Sequence, residues 1–345
     1  MKYNKIFKRI REWTKIPGNY QPGIRNAITD VEGVTVGQVT VKVGEGICTG
    51  VTIISPAAGD IFMRPIPAAV AVGNGFGKLV GALQVDELGE IESLIGLTNT
   101  LSVAAVLQGL VSFHTQQMPK GYNSINIIVG ETNDSRLNDI RGCHITPGHV
   151  EDAISVLSKD VEEGGVGAGA GTTCFGFKGG IGTASRIVTG RASGECRDYT
   201  VGVLVQSNYG GNLTVYGKPI PSPKQASQDG SCMIVILTDA PLSPIQLKRV
   251  AKRGLIGMTN TGSIMSHGSG DFAIAASNYE NNRSDSDKNK KQGRNYYFLT
   301  ASQLNPFFEA TVEAVQEALY NSLTMASGVE REGEYYPGFN FANYN

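Results

Sequence analysis

A chain of 345 residues with 30 Lys+Arg against 31 Asp+Glu carries a formal charge of -1, and that balance excludes a nucleic-acid grip driven by bulk charge. With 41% hydrophobic and 18% charged residues, it has the side chains for a sizeable buried core and too little charge for a disordered chain. Its 44 glycines follow no collagen-like third-position period, so they point to tight turns and close backbone approaches.

The length suits one large layered domain, 1–345. Residues 1–20 have scattered charges and no uninterrupted apolar stretch, so they read as an N-terminal arm packed on its own protein and not as a secretory signal. In that arm Ile6, Ile10 and Trp13 would line one face of a basic helix. Short β-rich runs follow at 33–43, 49–55 and 68–72, each bounded by Gly, Pro or Asp. Residues 84–110 mix acidic and apolar side chains and predict one or two helices on a sheet. A compact apolar strand at 124–130 leads into Glu131-Thr132-Asn133-Asp134, and a helix is expected at 149–160. The densest glycine tract runs from Gly164 to Ser185, and a buried strand at 201–206 ends at Ser207-Asn208. Residues 217–230 hold three prolines and almost no apolar side chain, as a linker does. A continuous apolar run, 232–237, predicts a central strand buried on both faces, followed by a helix at 243–256. After a Gly/Ser loop come a strand at 271–277, a polar surface insertion at 278–294 and a last helix at 305–323.

Several chemistries lack their residues. The run Gly73-Asn74-Gly75-Phe76-Gly77 has no third glycine at dinucleotide spacing, and the tract 164–182 has no GxxxxGK[ST]. The four histidines form no HExxH, and no serine sits in GxSxG. Five widely spaced cysteines without a CxxC pair signal neither disulfide framework nor zinc site and fit a reducing cytoplasm. No segment has the ~18 consecutive apolar residues that a membrane span needs.

What remains is the junction Asp229-Gly230-Ser231-Cys232, where a polar linker meets a buried strand within one residue. Cutting after Gly230 would give Ser231 a free α-amine, whose pKa near ~8 makes it a base close to neutral pH, beside its own hydroxyl nucleophile. Glycine before the serine would permit the unusual backbone shape that attack on the preceding carbonyl requires. Cleavage one bond later would instead expose the thiol of Cys232.

The segments NAITDVEGVTVGQVT, LTNTLSV, VGETND, GAGAGTTCFGFKGGIGTASR, VGVLVQSNYG, DGSCMIVILTDAPLS and TGSIMSHGSGDFAIAAS occur in this order between Asn26 and Ser277. In them the chain resembles the DmpA/BapA family of N-terminal-nucleophile aminopeptidases, also called the L-aminopeptidase/D-esterase or peptidase S58 family. The resemblance implies an α/β fold, a four-layer αββα sandwich, and self-cleavage into an α chain 1–230 and a β chain 231–345 of roughly 24 and 12 kDa. It implies Ser231 as nucleophile, since counting back from Thr238-Asp239-Ala240-Pro241 puts Ser231 at the family position. Asn208 would stabilise the oxyanion, Ser269 and Asp271 would support the nucleophile, and Glu131 would bind the free amine of a short peptide, amide or ester substrate. It further implies a homo-oligomer of αβ units, with no metal, organic cofactor, nucleic acid or membrane required. The family's supporting tyrosine has no evident counterpart. Two other readings share the scaffold: an acyltransferase like the ornithine acetyltransferases, and a binding protein that never cuts itself.

Overall fold

A computed structural model describes residues 7–192, 195–224, 229–286 and 296–344. The first half contains β1 (Thr35–Val43), β2 (Ile47–Ser55), β3 (Ile66–Gly75), β4 (Leu79–Val80), α1 (Ala82–Leu88), β5 (Glu90–Ile91), β6 (Ile95–Asn99), α2 (Val103–Gln117), β7 (Ile128–Thr132) and α3 (Pro147–Ser155). The second half contains β8 (Thr173–Cys174), β9 (Phe177–Lys178), β10 (Gly180–Ala192), β11 (Glu195–Asn208), β12 (Thr214–Val215), β13 (Lys218–Pro219), β14 (Ser231–Thr238), α4 (Pro244–Thr259), β15 (Gly270–Ser277), α5 (Asn305–Thr324), β16 (Val329–Arg331) and β17 (Glu334–Tyr336).

One sheet has the order β1-β2-β6-β7-β4 and the other β10-β11-β14-β15-β3-β5. Each holds one parallel pair, β6 with β7 and β14 with β15. Parallel neighbours need a long crossover, and α2 and α4 supply it. Along β14 the side chains alternate. Cys232, Ile234 and Ile236 pack with Leu247 and Val250 of α4 and Val315 and Leu319 of α5. Met233, Val235 and Leu237 pack with Ile54, Ile95, Leu97 and Ile128 of the facing sheet. Val106, Leu110 and Val150 of α2 and α3 cover the outer face of that first sheet. The layers are therefore helices, sheet, sheet, helices, the αββα sandwich expected.

The sequence misreads some segments. Residues 84–110 contain β5 and β6 as well as α1 and the start of α2. All five residues of β6 are buried, so its apolar run has no two-residue alternation to distinguish strand from helix. The strand expected at 124–130 lies later, at Ile128–Thr132. The glycine tract conceals the first residues of β10, which runs against α5: a Cβ on Gly182 would lie 1.9 Å from the Ala318 carbonyl oxygen. The region 278–294 is not wholly a surface insertion. Arg283 is buried and donates hydrogen bonds to the carbonyls of Ala58 and Arg64, while residues 287–294 lie outside the described residues. In the linker, Ile220 is buried next to β13, and residues 225–228 lie outside the described residues.

The arm makes a single 3-10 turn, Ile10–Glu12, in place of the basic helix expected, and Ile6 lies outside the described residues. Ile10 is fully buried, and the neighbouring Arg11 clamps Glu317 of α5 through Nε at 2.5 Å and Nη2 at 2.7 Å. Arg186 Nη2 (2.8 Å) and Asn26 Nδ2 (2.7 Å) reach the same carboxylate. Burial alone would raise the pKa of Glu317, but hydrogen bonding to Arg11 and the charges of Arg186 and Arg11 hold it below the usual range. Glu317→Ala would leave Arg186, 1% exposed, with only Glu313 as a carboxylate partner. The expected cost is about 3 kcal/mol, read as a shifted midpoint in urea unfolding.

Candidate active site

Strand register assembles the site. Ser231 opens β14, and its Cα partner on the antiparallel β11 is Asn208, the last residue of that strand. On the other side Ser231 pairs with Gly270, the first residue of β15. Ser231 shares the intersheet face with Met233, and Asn208 shares it with Leu204. Near the end of β7, Glu131 lines the same cleft. Ser231, Asn208 and Glu131 therefore converge on one cleft of about 210 Å³, also lined by Phe76, Lys78, Thr100 and Arg136.

Each of the three is held in place. Asn208 Oδ1 accepts the Thr173 N–H at 3.0 Å, and its Nδ2 donates to the Asn133 carbonyl at 2.8 Å. Those partners fix which end of the amide is nitrogen and leave its second N–H available. Glu131 is 2% exposed; Oε1 accepts the Lys78 N–H at 2.9 Å, Oε2 accepts the Thr100 hydroxyl, and Lys78 Nζ stands 3.9 Å away. Ser231 is 6% exposed.

The bond before Ser231 is immobilised too. The Gly270 N–H donates to the Gly230 carbonyl at 3.0 Å and lies 3.3 Å from Ser231 Oγ. Asp229 Oδ1 accepts the Ser266 hydroxyl at 3.1 Å and the Gly268 N–H at 3.2 Å, which ties the linker to the loop before β15. Gly230 has no left-handed φ, so the backbone-shape argument for glycine does not apply here. Close approach is the reason, since a Cβ there would lie 2.2 Å from the Asn208 carbonyl oxygen.

Ser269 and Asp271 do not line the cleft. Asp271 pairs with Cys232 in the β14/β15 register and shares the helix-facing side with Ala273 and Ala275. Neither of its buried oxygens makes a hydrogen bond of normal geometry among the described residues. Burial pushes its pKa up to about 6, opposed by the nearby Ser269 hydroxyl and Cys232 N–H. The Cys232 thiol is fully buried in the helix-facing core, and burial, with the charge of Asp271, raises its pKa well above the usual value. Sequence reasoning missed Lys78, Thr100 and Arg136, although Thr100 ends the LTNT segment that carried the resemblance. No tyrosine lines the cleft among the described residues; Phe76 is its aromatic side chain. Among those residues no group of three or more His, Cys, Asp or Glu is placed to hold a metal ion, and no helix is long and apolar enough to cross a membrane.

The model of peptidase family S58 matches residues 26–335. The chain belongs to that family. A beta-peptidyl aminopeptidase BapA from Sphingosinicella microcystinivorans is 37% identical over 346 residues, spanning 90% of this chain and 84% of the relative. Solved structures similar to this chain include a Burkholderia sp. beta-aminopeptidase, 36% identical with a TM-score of 0.89 over 97% of this chain and 96% of that one. They also include the L-aminopeptidase D-Ala-esterase/amidase of Ochrobactrum anthropi, described as a prototype serine aminopeptidase and a variant of the Ntn hydrolase fold. It is 30% identical with a TM-score of 0.88, over 97% and 96% of the two chains. This S58 chain is thus a mixed α/β hydrolase of an aminopeptidase family, and the relatives favour hydrolysis over acyl transfer.

Proposed function

We propose that the chain cuts itself between Gly230 and Ser231 and then works as an N-terminal-serine aminopeptidase on short peptides, amides or esters. The observation that carries this is the convergence of Ser231, Asn208 and Glu131 on one cleft. In self-cleavage Ser231 Oγ attacks the Gly230 carbonyl carbon, the C–N bond breaks, and the hydroxyl proton ends on the departing Ser231 nitrogen. Water then hydrolyses the ester, releasing the Gly230 carboxylate and restoring the hydroxyl.

In turnover the freed α-amine takes the Oγ proton as Oγ attacks the first carbonyl of the substrate and passes it to the departing amine or alcohol as that bond breaks; water then hydrolyses the acyl-enzyme ester and restores the hydroxyl. The free N–H of Asn208 faces the developing oxyanion. Glu131 receives the substrate ammonium, so a blocked N-terminus is expected to prevent turnover. Asp271 and Ser269 act from behind the strand, where the new terminus begins. Five free cysteines support a reducing cytoplasmic location, and exposed Leu83 and Ile245 support a homo-oligomer.

Denaturing electrophoresis of the purified protein with N-terminal sequencing tests this reading. Two species are expected, the smaller beginning at Ser231, together with release of the first residue from an aminoacyl p-nitroanilide. A single persistent species, inactive on such compounds, would support the non-cleaving binding protein instead. Because Asp271 has a raised pKa of about 6, it is ionised above that pH and protonated below it. kcat/KM should therefore show a further fall near pH 6, below the pH at which the α-amine base is protonated, and Asp271→Asn should remove that second step. Asp134 also has a pKa raised to about 6 by burial, in a hydrogen-bonded site with Thr49 and Asn138. A limb that survives in the Asp271 variant belongs to the Ser231 α-amine, whose own protonation removes the base, or to Asp134.

A further inference from the structure

The cleft carries more charge than the chemistry above uses. Its lining includes two cations, Lys78 and Arg136, and two acids, Glu131 and Asp229. Asp229 is engaged by Ser266 and Gly268, and Lys78 stands beside Glu131 at 3.9 Å. Arg136 is different. It is exposed, and among the described residues no carboxylate lies within ion-pair distance of it; its hydrogen bond goes to the Thr173 hydroxyl, 3.4 Å from Nη1. The acid whose field it feels, Glu334, is hydrogen-bonded to Lys224 at 2.7 Å and to Tyr336 at 2.8 Å.

The tethers place this guanidinium relative to the reacting centre. Thr173, which Arg136 touches, also gives its backbone N–H to Asn208. Arg136 is therefore held on the Asn208 side of the cleft. Glu131 is held by Lys78 and Thr100. A substrate whose ammonium sits on Glu131 and whose carbonyl lies between Ser231 and Asn208 directs its remaining chain into a space edged by a cation. The space is small: about 210 Å³, against the ~300–1,000 Å³ typical of drug-sized ligands. Two extended residues span only about 7 Å. The planar fork of an arginine matches a carboxylate through two parallel N–H···O bonds, and the ion pair gains strength where water is partly excluded.

Resting on the aminopeptidase reading, we propose that the cleft selects very short peptides ending in a free carboxylate, dipeptides above all, and that Arg136 receives that carboxylate. Arg136 is then a specificity residue, acting on the leaving part of the substrate while Glu131 acts on the retained part.

The test compares kcat/KM for alanyl-alanine and β-alanyl-alanine with their C-terminal amides, using the protein as purified and its Arg136→Gln and Arg136→Lys variants. The wild type is expected to favour the free acid of whichever pair it cleaves by about tenfold, which is ~1.4 kcal/mol. The preference should weaken in 0.5 M salt. Arg136→Gln should bring the acid-to-amide ratio close to one, chiefly through KM for the acid, and Arg136→Lys should restore part of it. A wild-type ratio of one, or a preference that survives in Arg136→Gln, overturns the proposal, the latter pointing to Lys78. Hydrolysis of amide and acid alike sinks this inference alone, whereas hydrolysis of none of the four compounds, nor of aminoacyl p-nitroanilides, sinks the aminopeptidase reading with it.

Discussion

Ser231→Ala is expected to yield one uncut chain of 36.6 kDa and to lower kcat/KM on aminoacyl amides by about 10⁴-fold or more. In the proposed mechanism one substitution removes both functions, because the same oxygen attacks the Gly230 carbonyl and later the substrate. The α-amine base never forms if the first attack fails. The folded core should survive, since the change deletes a single oxygen from a strand otherwise buried along its length. Intact mass and circular dichroism separate loss of cutting from loss of folding. A variant that is still cut at this bond would show that another group carries out the first attack. Cys232 is a poor substitute: its thiol faces the helical layers, away from the cleft, and is buried.

Asn208→Ala has the next largest expected effect, a fall in kcat of about 10²–10³-fold with little change in KM, because its free N–H acts on charge that develops only in the transition state. The substitution also orphans the Thr173 N–H and the Asn133 carbonyl, so unfolding should come about 1–3 kcal/mol more easily. Self-cleavage should continue in this variant. The Gly230 carbonyl already accepts the Gly270 N–H at 3.0 Å, so the proposed cut has a donor other than Asn208. Kinetics of the cut protein, with the small band still beginning at residue 231, check both halves of that statement. Failure to cut would assign Asn208 to both reactions.

The sequence reveals the site unevenly, for physical reasons. Ser231 stands out because a proline-rich polar linker stops where an eight-residue strand buried on both faces begins. The choice between Ser231 and Cys232 stays open in the sequence, yet strand alternation turns adjacent side chains to opposite faces, and only the register with β11 and β15 says which face holds the cleft. The same dependence hides the position of Asp271 behind the sheet. Its spacing from Ser269 is readable, but its facing is set by the partner strand. Arg136 is an ordinary exposed cation in the sequence and acquires meaning only through Thr173. The start of β10 is invisible because the glycines that let α5 lie against it are those that suggest a loop.

The strand order has a consequence for the life of the molecule after maturation. In β11-β14-β15-β3, two strands from beyond residue 230 lie wedged between two from before it. Breaking the Gly230–Ser231 bond, as proposed, would therefore leave both pieces locked, each completing the other's hydrogen-bond ladder, and the product would be a heterodimer born from one translation event. Its assembly instructions are spent in the process: once unfolded, the pieces must find each other by diffusion. Recovery from heat then becomes second order in concentration, where the uncut precursor recovers as a single chain.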